Sequence, residues 1–310
     1  MVKKIDFAIV FAIALIGIIV GSFADLQINT ILYFPNNAFG LTLSSIGEAP
    51  VYALFSSIGT ISILLGLKKY TKWYQRLILW VFGAAGVLLP IYFQGDHFIC
   101  VDGFNIPSLW YVGLLVGLVV SGVGVLFGLY IFKFSDNDDL VRYLITLFAI
   151  VVGSILIVQV TKSIMDRPRF RFIVSEQGTL NYFCQWWERG SDIKDFLSSS
   201  GIASDEFKSF PSGHTNIAAL SLPLLAYLPL LSSKIKINSR VLFYVGLIYT
   251  LVIAVSRITV AAHFLSDVSF ALFITTFVYW IIEKILVREN GLWGVTGEKI
   301  FRTSSKEVLA

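Results

Sequence analysis

Hydrophobic residues run along this chain in long stretches separated by short polar segments. Eight of the stretches are long enough, or nearly so, to cross a bilayer as helices. They cover residues 5–24, 51–67, 77–94, 109–132, 141–161, 215–231, 241–258 and 264–284. The pattern predicts an all-α fold, a polytopic transmembrane helical bundle of about eight spans, in a single integral-membrane domain over residues 1–310.

The composition and the basic residues extend this prediction. Hydrophobic residues make up 56% of the chain and charged residues 14%, which excludes an ordinary soluble domain. If the N-terminus is cytoplasmic, sixteen of the twenty-four Lys and Arg lie on inner segments, and loops 25–50 and 95–108 contain none. We therefore expect a cell-membrane protein with both termini cytoplasmic, a first span that is a signal anchor rather than a cleaved signal peptide, and no nucleic-acid partner.

Three polar segments at the ends of spans contain the candidate chemistry, and the topology places all three on the outer face. They are Lys162–Arg169, Pro211–His214 and Ser256–Asp267, and they include two of the three histidines. Cationic side chains, two imidazoles and a carboxylate on one membrane face are suited to phosphate-ester chemistry.

The spacing of His263 and Asp267 places both side chains on one face of a helix. The carboxylate can then accept a hydrogen bond from one imidazole nitrogen and leave the other free to attack. Taken alone, such a pair is more often a structural hydrogen bond.

The segment Pro211–His214 precedes a span that begins near Thr215. A helix N-terminus binds anions, Gly213 lets the backbone approach a ligand, and His214 is placed to protonate a leaving oxygen. Ser212 also suits the N-cap of this helix, and both interpretations can hold together.

Three basic side chains stand near the outer ends of spans. Lys162 ends the fifth span, Arg169 follows seven residues later, and Arg257 ends the seventh span. Each is suited to bind phosphate, or else to extend from a helix end towards the lipid headgroups. Pro168 indicates that the fifth helix does not continue to Arg169.

Together these segments resemble the signatures of the type 2 phosphatidic acid phosphatase superfamily, over roughly residues 140–285. The third signature is Ser256-Arg257-x5-His263-x3-Asp267, and the second is Pro211-Ser212-Gly213-His214. The first is Lys162-x6-Arg169, in which Phe170 replaces the final proline of the family pattern.

The resemblance implies a six-helix phosphatase core with extra N-terminal spans. It implies that His263 attacks phosphorus to form a phosphohistidine, that Asp267 orients it, and that His214 protonates the leaving group. The phosphoryl oxygens would be held by five residues: Lys162, Arg169, Ser212, Gly213 and Arg257. No metal and no cofactor are expected. The substrate would be a lipid phosphate or polyprenyl diphosphate presented at the outer face.

Two other functions remain open at this point. A phosphotransferase would use the same residues and pass the phosphoryl group to another acceptor. A transporter or scaffold is disfavoured, because almost no charged residue lies in the middle of a span. Neither the identity of the lipid nor the oligomeric state follows from the sequence.

Several features outside the three segments give further expectations. Loop 163–213 is long and is flanked by motif residues, so we expect a lid over the site. Four glycines of the fourth span predict a helix-packing seam: Gly113, Gly117, Gly124 and Gly128. Trp186 and Trp187 suit either the headgroup level or packing within the loop. Cys100 and Cys184 form either a disulfide or two separate thiols, and His97 is expected on a surface loop.

Overall fold

The computed structural model describes residues 2–34, 37–68, 72–99, 106–135 and 140–287. Within these ranges the chain is helical and contains no strand. The principal helices are α1 (Lys4–Leu32), α2 (Ala38–Ile46), α3 (Ala49–Lys68), α4 (Trp73–Ile99), α5 (Trp110–Lys133), α6 (Leu140–Met165), α7 (Phe170–Ile173), α8 (Ser191–Leu197), α9 (Gly213–Ala219), α10 (Ser221–Leu231), α11 (Ser239–Thr259) and α12 (Leu265–Leu286).

Eight of these helices or helix pairs are long and apolar enough to cross a membrane, which confirms the predicted bundle. Each coincides with one of the predicted hydrophobic stretches and extends it at one or both ends. The chain is therefore an all-α, polytopic integral membrane protein.

The prediction of a loop over residues 25–50 is wrong for most of its length. Helix α1 continues to Leu32, and α2 occupies a further nine residues. Asp25 and Asn29 fall in the predicted loop, but both are buried. Asn29 Nδ2 donates to the carbonyl of His263 at 3.2 Å, and Asp25 accepts from the backbone N–H of Ser266 at 3.0 Å. These bonds keep the polar end of α1 in the helical bundle.

The first span belongs to the core of the bundle. It packs along α12, and its Phe7 ring lies 4.9 Å from the Tyr279 ring and 5.8 Å from the Phe243 ring. At the end of α1 away from the candidate site, buried Asp6 accepts from Arg240 at 2.7 Å. The contacts tie α1 to the helices that carry the third signature.

Helices α3, α4 and α5 pack closely on one another through the predicted glycine seam. The four glycines of the predicted seam are buried. A Cβ atom on Gly117 would lie 2.1 Å from the carbonyl oxygen of Ile91, and one on Gly124 would lie 2.2 Å from that of Ala53. Only glycine allows these backbones to come so close, so the interpretation as a packing seam is confirmed.

The long segment between α6 and α9 is folded rather than extended. Trp186 donates from Nε1 to Ser22 Oγ at 2.9 Å and its ring lies 4.4 Å from that of Phe270, so this indole packs against the bundle. Trp187 is 52% exposed. Cys184 is buried, and burial raises the pKa of its thiol. Cys100 lies outside the described residues, so the alternatives of a disulfide or two thiols stay open.

Candidate active site

The three signature segments meet at one end of a cavity of ≈ 700 Å³. Helix α6 ends at Met165, as Pro168 predicted, which places Lys162 in its last turn. A Cβ atom on Gly213, the first residue of α9, would lie 3.4 Å from Lys162 Nζ. The predicted site residues that line the cavity are Lys162, Arg169, Gly213, His214 and His263.

The imidazole of His263 is buried and fixed in orientation. Its Nδ1 atom donates to the carbonyl oxygen of Ser209 at 2.5 Å, and Asp267 Oδ2 lies 3.8 Å from the same nitrogen. Because a carbonyl only accepts, the proton belongs on Nδ1, and Nε2 keeps its lone pair. Burial, together with the nearby charges of Lys162 and Arg169, lowers the pKa of His263 to about 4. The ring is therefore neutral at neutral pH.

Asp267 is connected to His263 through Ser209, a residue that the sequence did not single out. Its Oδ2 atom accepts from Ser209 Oγ at 2.5 Å and from the N–H of Phe264 at 2.8 Å. The separation of 3.8 Å from His263 Nδ1 is longer than a hydrogen bond. Asp267 therefore holds Ser209 in place, and the backbone carbonyl of Ser209 orients the imidazole of His263.

Arg167 also went unnoticed in the sequence, although it lies inside the first signature. It is fully buried and its Nη1 atom donates to Asp267 Oδ1 at 2.5 Å. The Nη2 atom donates to Asp25 Oδ2 at 3.0 Å, and the guanidinium lies 4.2 Å from the Phe264 ring centroid. One cation thus balances two buried carboxylates, one of which comes from the first span.

Ser212, Arg257 and Asp267 do not line the cavity. Ser212 caps α9, accepting from the N–H of Thr215 at 3.3 Å, which confirms the N-cap interpretation. Arg257 is buried against α2, where it contacts Ser44 Oγ and the carbonyl of Gly40. Phosphate binding by Ser212 and Arg257 stays a prediction.

Two acidic side chains of the segment before α9 pair with cations at the cavity. Arg169 lies 2.6 Å from Asp205 and Arg171 lies 2.7 Å from Glu206. Asp205 is half exposed, and the Arg169 side chain is nearly buried. Asp205 therefore forms an ion pair with the guanidinium of Arg169, the group that the resemblance to the first signature assigns to phosphate binding.

The expectation that His97 lies on a surface loop is wrong. Helix α4 runs on to Ile99, so His97 falls in its last turn and lines the cavity. Its Nδ1 atom lies 2.8 Å from Glu48 Oε2, and its ring stacks on that of His214 with centroids 4.9 Å apart. Nothing in the sequence around Glu48 signals this arrangement, because the residue sits in a predicted loop far from the motifs.

Among the described residues, Glu48, His97 and His214 form a group whose ligand atoms lie close enough to hold a metal ion. The geometry favours a cluster held by charge and ring contacts instead. The two imidazole planes are inclined by only 21° and stacked. Because a metal lies near the plane of each imidazole that binds it, stacked rings are poorly placed to share one ion.

The fold and the site define an integral membrane protein with a neutral histidine beside cationic side chains. Residues 142–290 match the model of a known family, the PAP2 superfamily. The resemblance is thereby confirmed over these residues, and the match supports activity as a phosphoric ester hydrolase. Comparisons with curated proteins and with solved structures found no significant match.

Proposed function

We propose that this protein is a metal-independent phosphatase that hydrolyses lipid phosphates or diphosphates through a phosphohistidine. The shape of the cavity is the observation that supports a lipid substrate. His263, His214, Lys162 and Arg169 line one end. Most of the other lining side chains are apolar, and many come from α4 and α6, including Ala85, Leu89, Phe93, Phe148, Val151 and Ile155.

The apolar part of the cavity has the length and setting of an acyl-chain groove. From His97 to Phe82, helix α4 spans about 22 Å at 1.5 Å per residue. Away from His97 along α4, the rings of Phe82 and Phe148 line the cavity and contact each other, with centroids 5.1 Å apart. Leu89 and Val152 line the groove and are 51% and 44% exposed, so its side opens towards the bilayer.

The proposed reaction has two steps. In the first, His263 Nε2 attacks phosphorus, the bond to the leaving oxygen breaks, and His214 gives that oxygen a proton. In the second, His214 takes a proton from water, the hydroxide attacks the phosphohistidine, and inorganic phosphate leaves with His263 restored. Lys162 and Arg169 stabilise the negative charge on the phosphoryl oxygens in both transition states. Their charge supplies what a metal ion supplies in other phosphatases.

Blocking the groove is expected to separate long-chain from short-chain substrates. In the Ala85→Trp variant, the indole should exclude two or three methylenes, each worth about 0.8 kcal/mol, so turnover of a long-chain lipid phosphate should fall by about tenfold or more. Release of phosphate from a short-chain substrate should stay within about twofold of wild type. Leu88→Trp is the matched control, since Leu88 is 60% exposed on the same helix.

An equal loss of turnover on both substrates in Ala85→Trp would show that the lipid chain does not bind in this groove. If neither substrate released phosphate with the wild-type protein, the proposed reaction itself would fail. Recovery of the phosphoryl group on an added lipid alcohol, rather than as inorganic phosphate, would assign the protein as a phosphotransferase.

We also propose that the site faces the outside of the cell membrane, from the distribution of basic residues. In a background lacking Cys100 and Cys184, a cysteine at Ser199 should react with an impermeant maleimide in intact cells. Ser199 lies in the segment between α6 and α9 and is exposed. A cysteine at exposed Ser233, between α10 and α11, should react only after permeabilisation. The opposite pattern would place the chemistry at the cytoplasmic leaflet.

A further inference from the structure

A buried carboxylate from outside the matched region lies against His214. Glu48 occupies the corner between α2 and α3 and is 2% exposed. Its Oε2 atom accepts from Tyr52 OH at 2.7 Å and lies 2.8 Å from His97 Nδ1. Its Oε1 atom lies 3.9 Å from His214 Nδ1. Burying a carboxylate is costly unless hydrogen bonds and an opposite charge compensate it, so its position beside two imidazoles needs an explanation.

The other charges around His214 explain why a carboxylate is useful there. A general acid must hold a proton when the substrate binds. Three basic side chains line the same cavity, namely Lys162, Arg169 and Arg171. Their positive charge disfavours a proton on the His214 imidazole. Two of the acids at the cavity, Asp205 and Glu206, are paired with Arg169 and Arg171.

The remaining titratable groups near His214 do not supply a buried negative charge. Asp96 lines the cavity from α4 but is exposed. His97 and His263 are imidazoles, and Tyr52 and Tyr249 are phenols, of which Tyr249 donates to the carbonyl of Gly47. Glu48 is thus the buried carboxylate at this side of the cavity.

We propose that Glu48, held in place by Tyr52 and His97, is a positioning residue for His214. Its charge, 3.9 Å from Nδ1, keeps a proton on the His214 ring by electrostatic attraction and favours the ring orientation in which Nε2 faces the leaving oxygen. The stacked ring of His97 restricts rotation of His214 about its side-chain bonds. The proposal rests on the proposed function, and it means that α2, α3 and α4 complete a site whose signatures lie in residues 142–290.

Nuclear magnetic resonance of the imidazoles tests the charge effect without turnover. The full chain has three histidines, so each resonance is assigned from one His→Gln variant. In Glu48→Gln, His214 should lose its proton at a pH lower than in wild type by about one unit or more, because an opposite charge within about 4–6 Å has been removed. Asp96→Asn removes the same charge from an exposed position and should change the titration of His214 little.

Kinetics test the effect on the reaction. At neutral pH, Glu48→Gln should lower kcat/KM for alkyl phosphates by about tenfold, since these poor leaving groups need the acid. Aryl phosphates with good leaving groups should lose little. In a His214→Ala background, Glu48→Gln should have no further effect on either substrate.

Three results would overturn the proposal. One is an unchanged titration of His214 in Glu48→Gln, and another is an equal loss on alkyl and aryl phosphates, which would indicate a structural role. The third is a shift of the His97 and His214 resonances by added Zn²⁺ that EDTA reverses, which would assign the cluster to a metal. If the wild-type protein hydrolysed no phosphate ester, the proposed function would fail while the resonance titration still tested the role of Glu48.

Discussion

Replacing His263 with asparagine should abolish phosphate release and the covalent intermediate together. In the structure His263 Nδ1 donates to the Ser209 carbonyl, and the Asn amide can replace that donor but cannot attack phosphorus. We expect a loss of about 10⁴-fold or more in kcat, the scale found when a nucleophile is removed. The measurement is phosphate release from a lipid phosphate by purified protein.

The intermediate provides a second measurement on the same variant. Wild-type protein quenched during turnover of a phosphorus-labelled substrate should hold an acid-labile, alkali-stable phosphoryl group, as expected for phosphohistidine. His263→Asn should hold none, and its thermal midpoint should remain close to that of wild type. Labelling that persisted in His263→Asn would move the nucleophile to another residue.

The pH dependence of the nucleophile follows from its surroundings. A proton on Nε2 would block attack, and the pKa of His263 is lowered to about 4. Loss of activity through protonation of His263 is therefore expected only as the pH falls towards about 4, rather than near the ordinary histidine value of about 6.5. An acid limb near pH 6.5 that persisted when His97 and His214 were each replaced would contradict this.

Replacing Arg167 with methionine should destabilise the protein more than any change of a surface charge. Arg167 donates to Asp25 and Asp267, and all three side chains are fully buried. Methionine leaves two buried carboxylates without their shared cation, and breaking a buried pair in this way typically costs about 3–5 kcal/mol. The measurement is the midpoint of thermal unfolding in detergent, with residual phosphate release as a second readout.

Two further variants make the Arg167 prediction specific. Adding Asp25→Asn to Arg167→Met removes one of the two uncompensated charges and should recover part of the lost stability. Lys194→Met is the control, because the Lys194–Asp166 pair is more exposed and such pairs contribute about 1 kcal/mol or less. If Arg167→Met were as stable as Lys194→Met, the buried charges would not stabilise the fold.

The site shows which interactions local spacing can predict. The signatures placed Lys162, Gly213, His214 and His263 together, and the structure brings them to one cavity. Ser209 and Arg167 both lie in the segment between α6 and α9, and both donate hydrogen bonds to Asp267 in the first turn of α12. Such contacts join residues far apart in the chain, and a single sequence has no local periodicity that reports them.

The N-terminal helices show the same limit more clearly. Their hydrophobic length predicted spans, but Asp25, Glu48 and His97 fell within the predicted loops 25–50 and 95–108. Each is instead buried or lines the cavity, because the helices continue past the hydrophobic stretch and dock on the signature-bearing core. The partners that permit these polar groups inside the bundle come from other helices.

The sequence by itself determined the membrane class, the eight spans and the three signature segments, because hydrophobic length and motif spacing are local properties of a chain. Only the tertiary structure decided which charges compensate one another. It paired Arg167 with Asp25 and Asp267, and it placed Glu48 beside His214. A buried charge is tolerated only where an opposite charge or hydrogen-bonding groups meet it, and helix packing decides where that happens.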